Sequence, residues 1–463
     1  MGLAFYDYYV TKGSAKSDTN GGTMFTGNSQ VYTNDGPCVE KANCSSDAVL
    51  GTIITNDDED GWGTAASGDM LCFDTATLKE FAMISAVDGN TITVDGNWAV
   101  TPSQSGVNVK VGGAWEHIQG GVDRITTVWA GTSDGVRLNV HYAGGVAYDE
   151  QVDVDTNSGT VTKPIVIEGY ETTAGDGCPN GNKPLIESST SGNTYELGTV
   201  NYTVHINLKV KNSADNGNAI DGNNRSRSMW LFCDGELAGS GTGAALYALT
   251  DSVFGCHAKV SSSGAATVAL INGATWDKCT FEGGKGAVYN VDMADWSHLR
   301  NCIFTGTVDG DCIRMMSNCS VAGCTIHAAD DCNIYGRSGY GLNLLANNIV
   351  TKANKEWGLN AAGGAIWGVG NCWGADGQAN NSGATTGLYH ALRDDQTADP
   401  KYTNEGGGDL TLASDSPCKA AAQPDTLPGT TLVTYQDTGA LQREEPGGGG
   451  GGLLQGNKRA NMQ

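Results

Sequence analysis

Charge is scarce in this chain: only 17% of its 463 residues are Asp, Glu, Lys or Arg. Helix formers rarely cluster, and no stretch sustains a 3.6-residue apolar period, which excludes a predominantly helical fold. Basic patches are missing apart from "NKR" near the C-terminus, and the net charge is −24. Such a surface repels a phosphate backbone, so nucleic acid is excluded as a partner. No run of about 18 apolar residues occurs, so no helix is expected to span a membrane. The opening "MGLAFYDYYVTKGSAKSD" has no basic segment followed by an apolar core, so no secretory signal is read there. Tyr6 stands where an N-myristoylation signal wants Ser or Thr.

The fourteen cysteines include no CxxC pair, which argues against a zinc site, and no cofactor or metal is expected. A disulfide framework suits short secreted chains and is disfavoured here. What the cysteines do show is a period. Cys233, Cys256, Cys279, Cys302 and Cys324 follow one another at 22 to 23 residues, and Asn348 and Cys372 continue at 24. Around them recur "WDKCTFEG", "LRNCIFTG", "VAGCTIHA" and "LANNIVTK". Self-similarity at this period, with β-prone segments between Gly, Asn and Asp turns, is one coil of a parallel β-helix. Each coil returns the chain to the same place ~4.8 Å higher, so equivalent inward side chains stack as a ladder. A thiol is a small hydrophobe that packs well there, and stacked Asn amides can bond along the same column. Aligning Phe254 with Phe281 would instead put Ser252 on the ladder and leave Cys256 beside it.

The fold read from these features is all-β, a right-handed parallel β-helix. Residues 114–422 form the solenoid, about 13 coils at this period, with "GGAWEHIQGGVDRI" as a helix capping its open end. Residues 1–113 form an N-terminal arm and small β domain, with Asp88-Gly89 and Asp95-Gly96 as turn signals. Residues 423–446 are a closing segment. Residues 447–463 are a six-glycine linker and a tip peptide in which Leu453, Leu454, Lys458 and Arg459 are candidate partner-binding residues.

"KPIVIEGYETT" after "YDEQVDVDTNSGT", "DPKYTNEGGGDLTLASDSPCKAA" and "DTGALQRE" resemble the opening coils, closing segment and following string of pectate-lyase-like β-helix proteins. With an extra N-terminal β domain and a tethered tip, the chain resembles the β-helix proteins of bacteriophage virions. That resemblance implies a structural or receptor-binding tail fibre, tailspike or capsid appendage. It implies a homotrimer that meets other virion proteins through its N-terminal domain or tip and host-surface polysaccharide through its β-helix face. The alternatives are a polysaccharide lyase or glycoside hydrolase acting on an acidic polysaccharide, or an extracellular bacterial adhesin.

For the enzyme alternative, the candidates are Asp309, Asp311, Asp330 and Asp331 in "TVDGDCIRMM" and "HAADDCNIYGR", since Asp311 and Asp331 each precede a cysteine and so are expected on equivalent positions of consecutive coils. Stacked carboxylates raise one another's pKa and suit acid–base work, turn-forming aspartates and a calcium site being the other readings. "ADDC" is similar to part of the paired-Asp motif of polygalacturonases, but the rest of that motif is missing, and His327 and Arg337 do not match its positions. A lyase base would come from Lys285, Arg314 or Arg337. Trp230, Trp276, Trp296, Tyr335, Tyr340, Trp357 and Trp367 are the aromatics considered for stacking on sugars, with core packing as the alternative.

Overall fold

In the computed structural model the described residues are 5–12, 39–67, 69–74, 79–95, 100–112, 114–129, 135–155, 158–198, 200–223, 227–239, 242–261, 266–283, 287–307, 311–329, 333–336, 342–351, 360–361, 365–374, 388–393 and 396–419. The closing segment 423–446, the glycine linker and the tip with Leu453, Leu454, Lys458 and Arg459 lie outside them.

From Gly135 onward the chain runs repeatedly through three short strands, each joining its own parallel sheet. The first sheet has 12 strands, the second 11 and the third 9. All pair in parallel with the coil before and the coil after. The chain is a right-handed parallel β-helix. The early coils are wider than the cysteine period: the first-sheet strands begin at Gly135, Ile165 and Thr203 before the spacing contracts.

The turn from first to second sheet explains the period. On eight successive coils it is made by one residue in the left-handed region: Asn207, Phe232, Gly255, Lys278, Asn301, Gly323, Asn347 and Gly370. Asn and Gly adopt this conformation at least cost, and they fill six of the eight places. The next residue is the ladder: Leu208, Cys233, Cys256, Cys279, Cys302, Cys324, Asn348 and Asn371. Cys256 is thus in line, and Ser252 pairs instead with Thr275. Cys372 is not in line. It sits one residue later, opposite Ile349, and packs against Cys418.

Ladder side chains repair the backbone at this corner. Cys233, Cys256, Cys279 and Cys302 direct Sγ at the carbonyls of His205, Trp230, Val253 and Trp276, at 3.5, 3.6, 3.8 and 3.6 Å. Asn348 and Asn371 donate Nδ2 to the carbonyls of Val321 and Leu345 at 2.9 and 3.0 Å. In return, Cys233 N donates to Cys256 Sγ, Cys302 N to Cys324 Sγ, and Cys324 N to Asn348 Oδ1. A thiol therefore does weakly what a carboxamide does strongly: it donates to one coil and accepts from it. Burial pushes the Cys233, Cys279 and Cys324 thiols well above their ordinary pKa, keeping them neutral donors.

The interior is filled by stacked columns. In the first sheet, Tyr8, Leu138, Ile167, His205, Trp230, Val253, Trp276, Leu299, Val321 and Leu345 are successive inward residues. Trp230 and Trp276, considered for sugar stacking, are fully buried core residues. His205 is the polar member. It stacks on Trp230 with ring centroids 4.0 Å apart and bridges Tyr195 Oη and Thr203 Oγ1, both at 2.9 Å. Burial drives its pKa down to about 3.

At the N-terminal end, strand Phe5–Val10 pairs with Gly135–His141 as the first rung, although about 125 residues separate them in sequence. Between them lies a closed antiparallel barrel of six strands, from Val39–Ser46 to Val107–Val111. Helix Ile118–Trp129 then covers the end of the solenoid, burying Ile118, Val122 and Ile125. The Glu150 carboxylate caps its start, accepting from the N–H groups of Ile118 and Gln119 at 2.9 Å each. At the other end, the hairpin of Tyr402–Asn404 and Asp409–Leu412 lies on the outer face of the second sheet, with the Tyr402 ring edge-on to His327 at 5.6 Å.

Two expectations follow. Cys324→Ala lowers the free energy of unfolding by about 1–3 kcal/mol, from a lost acceptor and a small void. Cys324→Asn stays within about 1 kcal/mol of the parent, because an amide already fills the next place. Urea midpoints check both, and equal losses for the two variants would contradict the ladder's bonding role. For His205, the unfolded ring protonates near 6.5 and the folded one near 3. Between those values the unfolded chain binds the proton that the folded chain refuses. Stability therefore falls as pH drops through this window, by up to about 1.4 kcal/mol per unit. His205→Phe flattens that slope in unfolding curves taken from pH 7 to 4.

Candidate functional site

The outer face of the third sheet carries three acids in succession. Alternation along each strand turns one side chain in and the next out. Val152, Tyr195, Ile220 and Leu246 point into the core. Their outward neighbours Asp153, Glu196 and Asp221 stack on successive coils, ~4.8 Å per rung. The file continues through Tyr247, Leu270, Asp292 and Arg314. It therefore runs from three acids through an aromatic and an aliphatic residue to an Asp292–Arg314 ion pair at 3.8 Å.

Neighbouring amides hold the acids in place. Asn193 Nδ2 donates to both Glu196 Oε2 and Asp221 Oδ2 at 2.9 Å. Asn218 Nδ2 adds a bond to Asp221 Oδ2 at 3.0 Å, and the backbone N–H of Asn223 donates to Oδ1 at 2.7 Å. Asp221 is 8% exposed, and this burial raises its pKa against the pull of those donors, with the Glu196 charge adding to the rise. Asp153 is exposed, yet its pKa is also raised, by desolvation first and then by Asp155, Glu196 and the helix residue Asp123. Gln119 ties the helix to this edge, donating to the Asp153 carbonyl at 3.0 Å and accepting from its N–H at 2.6 Å.

The residues singled out from sequence fall elsewhere or out of view. Asp309, Asp330 and Asp331 lie outside the described residues, as do Lys285, Arg337, Tyr340 and Trp357. The backbone of Asp311 opens a third-sheet strand, but its register partner is Asn333 and not Asp331. A bulge between Asp311 and Ile313 breaks the expected one-to-one pairing. Arg314 belongs to the acid–aromatic column, whereas His327 is on the second sheet, near Thr351 and Glu405. Among the described residues no group of three or more His, Cys, Asp or Glu side chains converges to hold a metal ion. The acids Asp153, Glu196 and Asp221 were legible only as apolar–acid–apolar triplets in "VDV" and "YEL" and as "AID".

No family model matches this chain, and neither does any curated protein. Among solved structures it is similar to the pectin methylesterase of Aspergillus niger, with 13% identity over 63% of this chain and 88% of the esterase, at a TM-score of 0.34. It is similar to the Gp54 tailspike of Acinetobacter baumannii bacteriophage AP22, solved with a capsular saccharide of that bacterium. There the identity is 10% over 77% of this chain and 66% of the tailspike, at 0.27. The tailspike gp49 of Pseudomonas phage LKA1 shares 12% identity over 78% of this chain and 62% of its own, at 0.20. The likeness is one of architecture. Among the described residues no helix is long and apolar enough to cross a membrane.

If Asp153, Glu196 and Asp221 act on one another as a stack, Glu196→Gln removes a charge that opposes ionisation of both neighbours. Asp153 and Asp221 then titrate at lower pH than in the parent, read from carboxyl carbon shifts in NMR. Unmoved titrations would mean that the column is three independent acids.

Proposed function

We propose that this chain is a glycan-binding β-helix that serves as a receptor-binding component of a bacteriophage virion, assembled as a homotrimer. The observation that supports the binding role is the third-sheet file itself. It faces outward on successive rungs ~4.8 Å apart, with the carboxylates of Asp153, Glu196 and Asp221 followed by Tyr247 and Leu270. A linear polymer of hydroxylated rings offers matching features at a comparable repeat. The carboxylates accept from hydroxyls, and ring C–H faces lie on Tyr247 and Leu270. The virion role follows the resemblance carried by the N-terminal β domain and the glycine-tethered tip.

A second reading, glycoside hydrolysis, is favoured by one observation: Asp221, with its raised pKa, sits one rung from Glu196. Two carboxyl groups on adjacent rungs, one with its pKa raised by burial, are the kind of pair that glycosidic cleavage uses.

One set of measurements separates these. The full chain is expected to bind members of an immobilised panel of bacterial surface polysaccharides, and Tyr247→Ala weakens that binding by roughly three- to tenfold. Light scattering is expected to give three times the 48.0 kDa chain mass. A monomer that binds no polysaccharide would overturn the proposal. Release of new reducing ends, lost in Asp221→Asn, would move the assignment to the hydrolase.

A further inference from the structure

The corner between the third and first sheets is also turned in the left-handed region. Tyr202, Arg227, Gly273, Trp296 and Asn318 have φ of 58°, 64°, 62°, 61° and 60°. Gly273, Trp296 and Asn318 are equivalent positions on three consecutive coils. On either side of the tryptophan stand the two residue types this conformation favours. Bulky side chains are strained there; Arg227 lies over the Tyr202 ring at 4.8 Å in the same conformation, whereas Trp296 is flanked by Gly and Asn.

Packing does not explain the tryptophan. Trp296 is 65% exposed, the most exposed aromatic among the large hydrophobic residues at the described surface. Among the described residues its ring meets no other aromatic ring and no cation. The rung before it is open: a Cβ added at Gly273 would meet nothing nearer than the Asp295 carbonyl at 4.0 Å. The side-chain space at Gly273, one rung before the tryptophan, is therefore open. Acids border it. Asp295 accepts from Ser317 N at 2.8 Å, and Asp292 of the candidate column lies four residues before Trp296 on the same coil.

We propose that Trp296 is a stacking platform for one pyranose ring of an uncharged glycan, with the open space at Gly273 admitting the ring and the neighbouring carboxylates accepting its hydroxyls. This rests on the glycan-binding reading above and adds the subsite and the sugar class. An aromatic face binds the C–H side of a sugar ring, and Asp295, with Asp292 already paired to Arg314, disfavours uronates and other anionic sugars. The arrangement gives an unusual signature. Replacing a functional residue held under backbone strain improves folding and impairs binding together.

The test uses the full chain and Trp296→Gly, with an array holding both uncharged and uronate-bearing bacterial polysaccharides. Trp296→Gly is expected to raise the thermal midpoint by roughly 1–3 °C and to weaken binding of the uncharged polysaccharides about tenfold. Trp296→Tyr, which keeps an aromatic face, retains most of the affinity. If the parent binds uncharged polysaccharide and Trp296→Gly binds it equally well, the subsite is wrong and the glycan-binding reading stands. If the parent binds none, both fall. A lowered midpoint, or dissociation of an oligomer with binding intact, would make Trp296 a structural or subunit-contact residue and overturn the proposal.

Discussion

The structure depends on how the backbone is satisfied at the corner between the first and second sheets. A parallel solenoid must turn sharply on every coil, and each turn takes N–H and C=O groups out of the sheet ladder. Here one left-handed residue makes the bend, and the side chain that follows supplies missing partners to the backbone of the preceding coil. Because each ladder residue serves the coil beside it, the corners are interdependent, as expected where stability is a sum of nearest-neighbour terms. Thiols and carboxamides are interchangeable in this column because each is small, buried and able both to donate and to accept. The adjoining corner between third and first sheets repeats the solution with Ser297, Cys319 and Asn343, whose side chains reach the carbonyls of Ile271, Ala294 and Met316.

A stack held this way can carry almost any residue on its outer faces. The three faces differ accordingly. The second sheet alternates Glu187, Lys211, Glu236, Lys259 and Glu282 down one outward column, with Lys211 2.8 Å from Glu187 and Lys259 2.7 Å from Glu282. Opposite charges at each step quiet that face, and the hairpin at Tyr402 covers its C-terminal coils. The third sheet does the reverse. Three acids in succession repel, and their upkeep relies on the amides of Asn193 and Asn218. A face that spends folding energy on like charges, beside an exposed tryptophan in a strained turn, is where the molecule departs from what folding alone favours.

The two ends of the solenoid are closed by different means, and both bring distant sequence together. The first rung comes from Phe5–Val10, placed before the barrel, and Arg137 holds it through Asp7 at 2.6 Å with Glu168 nearby at 3.5 Å. Burial raises the pKa of Glu168, while the Arg137 charge opposes that rise. The helix after the barrel then shields the open edge, as solenoids require.

The sequence by itself determined the fold class, the coil period and the residues that mark it, because a stacked repeat writes its geometry into regular spacing. It also determined the turn chemistry, since "NC", "GC" and "NN" pair a left-handed residue with a ladder residue. Only the tertiary structure decided which residues share a column. Spacing could not separate Cys372 from Asn371, one residue apart, nor could it show that Asp311 pairs with Asn333 across a bulge. Loops between the second and third sheets vary in length, so Asp153, Glu196 and Asp221 meet at unequal intervals that no fixed period reveals. Pairing along the solenoid follows hydrogen-bond register, and register is settled when the inward side chains close the core. That is also why Trp230 and Trp276 went inside while Trp296, a few residues past its strand, stayed out.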